Sequence, residues 1–102
     1  MKRIFGLFFC TTLAACAGSS GYQPALDASA KVVFDQACAS CHGSSKKLEA
    51  GTGFQIAAEH QSAAFIVAKI AKGGMTMPAF SNISEAHRTA LADYLLAHQS
   101  HH

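Results

Sequence analysis

The alternation of apolar and polar residues predicts a first helix in the middle of the chain. Its apolar positions follow the i, i+3, i+4, i+7 spacing of an amphipathic helix and are Ala30, Val33, Phe34 and Ala37. Asp27 lies just before them and can cap the amino terminus of the helix. The pattern therefore predicts a helix that begins after Asp27 and runs directly into Cys38.

The same spacing predicts two further helices. One begins at Ser62, has its apolar face at positions 63, 66, 67 and 70, and ends at Gly73 and Gly74. Another begins after Ser84 and carries on one side Leu91, Tyr94, Leu95 and His98. Residues 43–53 are rich in glycine and are predicted to be a loop, with a turn of helix at residues 54–59. No segment alternates as a strand does, so the predicted fold class is all-α with three main helices.

The first fifteen residues have the pattern of an export signal. Lys2 and Arg3 precede an apolar run at residues 4–9, and small residues then lead to Cys16. A transmembrane anchor is the alternative, but the apolar stretch at residues 4–15 is shorter than the roughly 20 residues that a bilayer crossing requires. Residues 1–15 are therefore predicted to be a signal peptide.

The end of this segment resembles the lipobox of bacterial lipoproteins, with the sequence Leu13, Ala14, Ala15, Cys16. The resemblance implies that Cys16 is acylated after the signal is removed, and the alternative is a free cysteine. Several acyl chains hold a protein at a membrane firmly, because each buried methylene contributes roughly 0.8 kcal/mol. Position 17 lacks the aspartate that is associated with inner-membrane retention. We therefore expect a lipoprotein on the periplasmic side of the outer membrane.

Composition divides the rest of the chain into a tether and a domain. Residues 16–26 are small and polar and include Pro24, which is typical of a flexible linker, so the domain is assigned to residues 27–102. The chain has eight Lys and Arg against six Asp and Glu, and loss of Lys2 and Arg3 with the signal leaves six of each. This balance gives no basic face for nucleic acid, and we expect a monomer. A domain of this size often needs a cofactor to be stable.

Cys38, Cys41 and His42 form the Cys-x-x-Cys-His motif that attaches c-type haem. Two thiols three residues apart at the end of a helix can each add to one of two neighbouring vinyl groups. The adjoining His42 then lies under the iron as its proximal ligand. A redox dithiol and half of a zinc site are the alternatives. The first usually belongs to a fold with strands and the second needs another ligand pair, and the sequence has neither.

Met77 is the predicted distal ligand of the iron. It precedes Pro78, which favours an extended backbone at Met77 and stiffens the loop that presents its sulfur. Met75 is the alternative ligand in the same loop, and ligation by His60 is a further alternative. A thioether opposite histidine raises the iron potential and favours reversible one-electron transfer.

From about Asp27 to His98 the chain resembles a small class I cytochrome c. Phe34 stands four residues before Cys38, as an aromatic residue does on the first helix of that family, and Leu91 with Tyr94 and Leu95 matches its last helix. The resemblance implies that these two helices cross. The run Met77, Pro78, Ala79, Phe80 is similar to the family's methionine loop, but residues 43–53 lack the proline whose carbonyl orients the proximal histidine in many members.

These features predict an electron carrier and not an enzyme, because the iron has ligands on both sides and the sequence offers no catalytic group. The predicted cofactor is one covalent haem c, and the predicted partners are a redox donor and a redox acceptor. Two alternatives remain open at this point. One is a haem subunit of a larger oxidoreductase, and the other is a haem protein whose labile methionine lets peroxide or a gas reach the iron.

Overall fold

The computed structural model describes residues 20–99, which form five α-helices and no β-strand. In chain order the α-helices are α1 (Ala30–Ala37), α2 (Ala39–His42), α3 (Ser45–Glu49), α4 (Ala63–Lys72) and α5 (Glu85–Ala97). One turn of 3-10 helix, Ala58–His60, lies between α3 and α4. The all-α class is confirmed, and α1, α4 and α5 are the three main helices of the prediction.

Helix α1 is capped by Ser29 and not by Asp27. The Ser29 side chain accepts a hydrogen bond from the Val32 amide at 3.3 Å. Asp27 instead lies in a turn that closes when the Ala28 amide donates to the Ala25 carbonyl. The predicted cap was wrong because an aspartate two residues upstream competes poorly with a serine that directly precedes the helix.

The predicted loop at residues 43–53 was also wrong, because it contains the short helix α3. Ser44 caps this helix by accepting a hydrogen bond from the Lys47 amide at 3.3 Å. Leu48 is buried on the face that packs inward. One apolar residue among polar neighbours gives no periodicity, so the sequence signal for α3 was absent.

The starts of α4 and α5 and the end of α4 agree with the prediction. Ser62 accepts a hydrogen bond from the Phe65 amide at 3.1 Å, and α4 ends at Gly73 with a positive φ of 67°. Ser84 accepts from the His87 amide at 3.2 Å, and α5 ends at His98. Serine caps thus begin both helices, and a glycine ends α4, as the local rules require.

Helix α5 forms the centre of the core, because both α4 and α1 pack against it. The rings of Phe34 and Tyr94 lie 6.1 Å apart at a tilt of 56°, in the range that aromatic pairs prefer. This contact confirms the predicted crossing of the first and last helices. The buried apolar residues are Val33, Phe34, Leu48, Ile66, Ile70, Phe80, Ile83, Leu91, Ala92 and Leu95.

Part of the segment assigned to the tether contacts the domain. The Ser20 amide donates to the Ala79 carbonyl at 2.7 Å, and the Tyr22 hydroxyl donates to Gln36 Oε1 at 2.6 Å. Pro24 is buried. The predicted signal peptide and Cys16 lie outside the described residues. Within residues 20–99, no helix is both long and apolar enough to cross a membrane.

Candidate functional site

The motif residues lie on one helical turn at the junction of α1 and α2. Cys38 separates the two helices, yet its amide donates to Phe34 at 2.9 Å and its carbonyl accepts from the His42 amide at 3.0 Å. Hydrogen bonding of helical type therefore continues through the junction, and both cysteines and His42 share one rigid turn. Cys38 is half-buried against the core, whereas Cys41 is exposed.

His42 is held by aromatic packing. Its ring lies against the ring of Phe54, with centroids 4.2 Å apart. Burial lowers the pKa of His42 below its ordinary value, which favours the neutral imidazole. Neutral imidazole is the form that binds metals, so the surroundings of His42 suit an iron ligand.

The surroundings of the cysteines do not suit a redox dithiol. Burial, with a smaller contribution from Cys41, raises the pKa of the Cys38 thiol to about 11. Reactive thiols need a lowered pKa, since the thiolate is the nucleophile. A zinc site is also unsupported, because residues 20–99 contain no group of three or more His, Cys, Asp or Glu side chains placed to hold a metal ion.

Two neighbouring cavities meet at the motif. The smaller, of about 160 Å³, is lined by all four predicted cofactor residues, Cys38, Cys41, His42 and Met77. The larger, of about 290 Å³, shares Cys38, His42 and Met77 with it. Its apolar lining is Phe34, Phe54, Ile56, Ala57, Phe65, Ile66, Ile70, Leu91 and Leu95. The fold thus brings the predicted site residues together around a largely apolar space.

The two methionines of the loop have opposite environments. The Met77 side chain packs against the core and lines both cavities. Met75 is fully exposed, at 105% of its reference surface. Met77 lines both cavities and Met75 lines neither, so the geometry favours Met77 over Met75 as the residue opposite the motif.

His60, the alternative iron ligand, lies at the larger cavity only. His60 also lines the larger cavity, but its exposed ring stacks in parallel on Phe65, with centroids 4.1 Å apart. His98 lies against Tyr94, and His87 is close to the hydroxyl of Ser84. Of these three histidines, only His60 lines either cavity.

Gln99 is a structural residue of the site that the sequence did not reveal. It is buried, and its Oε1 accepts from the Ile56 amide at 2.6 Å. Its Nε2 donates to the Leu95 carbonyl at 3.0 Å and, at 3.5 Å, approaches the carbonyl of Phe54. Gln99 therefore fastens the wall of the larger cavity to the end of α5. A glutamine outside any periodic pattern gives no signal for such a role.

Comparisons with known proteins agree with this geometry. The model of the family described as cytochrome c oxidase, cbb3-type, subunit III, matches residues 25–95. The chain belongs to the cytochrome c family. The solved structure of cytochrome c6 from the diatom Phaeodactylum tricornutum is 28% identical, with a TM-score of 0.51, and covers 67% of this chain and 87% of its own. A search of curated proteins found no significant match.

The protein is thus a small class I c-type cytochrome with a covalently bound haem c, and it is a haem-based electron carrier. The residues present fit such a group: two thiols and a neutral imidazole on one turn, a thioether in the facing loop, and an apolar space between them. The haem supplies the one-electron couple of its iron. The chain would supply the attachment through its thiols and the ligands through His42 and the facing thioether.

Proposed function

We propose that the cytochrome moves single electrons between redox proteins, with haem attached through Cys38 and Cys41 and ligated by His42 and Met77. The observation that carries this proposal is the smaller cavity, which all four of these side chains line. Histidine and methionine together give a six-coordinate iron with a raised potential, which suits electron transfer better than chemistry on a substrate.

The apolar lining of the larger cavity supports the same role. A low-dielectric surround disfavours the more highly charged oxidation state and so contributes to the potential. The packed wall formed by Phe54 and the core residues would also keep water from the ligand side of His42.

A second candidate function has one observation in its favour. The matching family model is described as an oxidase subunit, which supports a haem subunit bound permanently to a larger oxidoreductase. Purification of the protein from its own membrane after mild cross-linking distinguishes this candidate from a mobile electron carrier. A stable complex with fixed stoichiometry would favour the subunit, and transient capture of several redox proteins would favour a mobile carrier.

The covalent attachment is tested by intact mass. The mature protein should carry the mass of one haem, and the haem should stay with the chain in acidic organic solvent. The Cys38→Ser and Cys41→Ser variants should each lose one thioether bond. Haem that leaves the unmutated chain in acid would contradict attachment at these cysteines.

The distal ligand is tested by the charge-transfer absorption of ferric iron bonded to thioether sulfur. We expect this band in the unmutated protein, its loss in Met77→Ala, and its persistence in Met75→Ala, the matched control from the same loop. Met77→Ala should also have a lower potential. An unmutated protein that lacks the band and binds carbon monoxide readily would instead support a gas- or peroxide-reactive haem protein.

We also propose that the cytochrome is an exported lipoprotein, held at the periplasmic face of the outer membrane through Cys16. Its support is the lipobox-like sequence that ends at Cys16, after the apolar run. Cys16→Ser should move the protein to the soluble periplasmic fraction or block its processing. Unchanged membrane fractionation with normal cleavage would count against lipidation.

A further inference from the structure

Gly73 lies where α4 ends and where the loop that carries Met75 and Met77, residues 73–80, begins. This loop is called the methionine loop below. Its backbone has φ 67° and ψ −161°, a region that is essentially restricted to glycine. A glycine at the end of a helix is common and by itself indicates only where the helix stops. The space around its α-carbon shows that the path of the following loop also depends on this residue.

A side chain at Gly73 would collide with the backbone that carries Met77. An added Cβ would lie 2.5 Å from the Met77 carbonyl oxygen, 2.7 Å from the Ala79 nitrogen and 2.8 Å from the Pro78 carbonyl carbon. Real Cβ atoms essentially never approach other heavy atoms this closely. All three partners are main-chain atoms, so no rotamer change relieves the collision, and residues 77–79 would have to move.

The same backbone is fastened to the end of α4 at Met77 and at Phe80. The Gly74 amide donates to the Met77 carbonyl at 2.9 Å, and the Phe80 amide donates to the Ile70 carbonyl at 2.8 Å. Phe80 is itself buried. The loop therefore returns along the last turn of α4 and is anchored at Met77 and at Phe80, so the backbone that carries the Met77 side chain is fixed relative to α4.

We propose that Gly73 is a positioning residue for the distal ligand. Because it lacks a side chain, the backbone of residues 77–79 packs directly on the end of α4, and this contact sets the place of the Met77 thioether in the cavity shared with His42. The inference rests on the proposed ligation by Met77 and deepens it. It assigns the position of the sulfur to a residue at the end of α4, four positions before Met77.

Two other glycines provide matched controls. Gly51 also has a positive φ, of 80°, but an added Cβ there meets nothing within 4 Å. Gly51→Ala thus imposes left-handed backbone strain without a collision. Gly74 adjoins Gly73, and a Cβ there meets only the end of the flexible Lys69 side chain. Gly74→Ala thus tests the loop without moving residues 77–79.

The test uses the ferric holoprotein and measures the thioether charge-transfer band, the midpoint potential and imidazole binding. Gly73→Ala should lose the band, shift the potential downward and bind imidazole more tightly, although Met77 is still present. Gly51→Ala and Gly74→Ala should keep the band and the potential. Retention of both by Gly73→Ala would overturn the proposal.

A double variant separates positioning from folding. If Gly73 acts through Met77, adding Gly73→Ala to Met77→Ala should change neither potential nor imidazole affinity any further. An additional change of similar size would overturn the proposal. Failure of both Gly73→Ala and the double variant to accumulate as holoprotein would assign Gly73 to the fold and likewise overturn it. Persistence of the band in Met77→Ala would instead contradict the ligand assignment, and the two failures are therefore distinguishable.

Discussion

The two sides of the cavity are built in different ways. His42 lies on a helical turn, and α3, which follows it, is tied to two other helices by side-chain hydrogen bonds, with Asp35 reaching Ser45 from α1 and Tyr94 reaching Glu49 from α5. Met77 lies in a loop held by three backbone hydrogen bonds, from Gly74 to Met77, from Phe80 to Ile70 and from Ser20 to Ala79, and by close packing against Gly73. The proximal side is thus tied to neighbouring helices by side chains, whereas the distal side is held by main-chain contacts.

This difference suits the two roles. A turn that carries both attachment cysteines and His42 must keep its shape while the thioether bonds form, and a helix with side-chain ties does so. In the proposed ligation the loop has only to present one sulfur, that of Met77, and a weak soft ligand tunes the iron potential. Changes on the proximal side should therefore affect assembly and stability, whereas changes on the distal side should affect the potential.

The largest expected effect is that of His42→Ala. No other side chain on the motif turn can replace the imidazole, so we expect most of the chain to be recovered without haem. Met77→Ala should still be recovered with haem attached. Intact mass and haem absorbance per mole of protein measure both. Equal haem content in the two variants would contradict the asymmetry between the proximal and distal sides.

Gln99→Ala should give the next largest effect, on stability. The substitution leaves the amide of Ile56 without its hydrogen-bond partner. It also removes the contact of Gln99 with the carbonyl of Phe54, whose ring packs on His42. Leaving buried polar groups unpaired should cost about 2–3 kcal/mol in the free energy of unfolding. Urea unfolding of the holoprotein measures this loss. Because the hydrogen bonds of Gln99 go to Phe54, Ile56 and Leu95, the thioether band should be unchanged, and loss of the band would place Gln99 on the distal side.

Most of this arrangement could be predicted from the sequence where a local rule applied. Apolar spacing with serine caps gave α4 and α5, and the Cys-x-x-Cys-His motif and the methionine before Pro78 gave the residues that the smaller cavity brings together. These signals are short-range, so a single sequence contains them.

The features that were missed depend on contacts between distant residues. Helix α3 has a single buried leucine and is tied to α1 by Asp35, ten residues upstream. Gln99 bonds to Ile56 across 43 positions. The collision at Gly73 involves atoms of residues 77–79, which the sequence cannot place without knowing how the loop returns along α4. None of these pairings leaves a periodic or compositional trace.

Asp35→Ala tests the tie between α1 and α3. The Asp35 carboxylate accepts from the Ser45 amide at 2.8 Å and from its hydroxyl at 2.6 Å, and these bonds lower the pKa of Asp35 below its ordinary 3.8. Its removal leaves buried Ser45 with two unpaired groups and should cost about 1–2 kcal/mol in the free energy of unfolding.

The same tie should depend on pH in the unmutated protein. Because the folded-state pKa of Asp35 is lowered, its contribution is present above pH 3.8 and is lost as the pH falls through the lowered value. Unfolding experiments at pH 7 and pH 3 measure the difference. If Asp35→Ala lost as much stability between these pH values as the unmutated protein, another carboxylate would be responsible for the acid sensitivity.

Tyr94→Phe is expected to have the smallest effect, confined to the tie between α5 and α3. The Tyr94 hydroxyl donates to Glu49 Oε1 at 3.0 Å, and because water screens the exposed carboxylate this hydrogen bond contributes little to the free energy of unfolding. Burial, followed by the hydrogen bond to Glu49, raises the pKa of Tyr94 from 10.0 to about 12. The unfolded chain therefore ionises first as the pH rises. The stability from Tyr94 is fully present below pH 10 and is lost between pH 10 and 12.

Urea unfolding at pH 8 and pH 11 measures this effect. The free energy of unfolding should fall less between these pH values, a smaller alkaline loss, for Tyr94→Phe than for the unmutated protein. Glu49→Gln is the matched control, since it keeps an acceptor but removes the charge, and its alkaline loss should lie between the two. An alkaline loss in Tyr94→Phe equal to that of the unmutated protein would show that the hydrogen bond between Tyr94 and Glu49 does not cause the fall in stability at high pH.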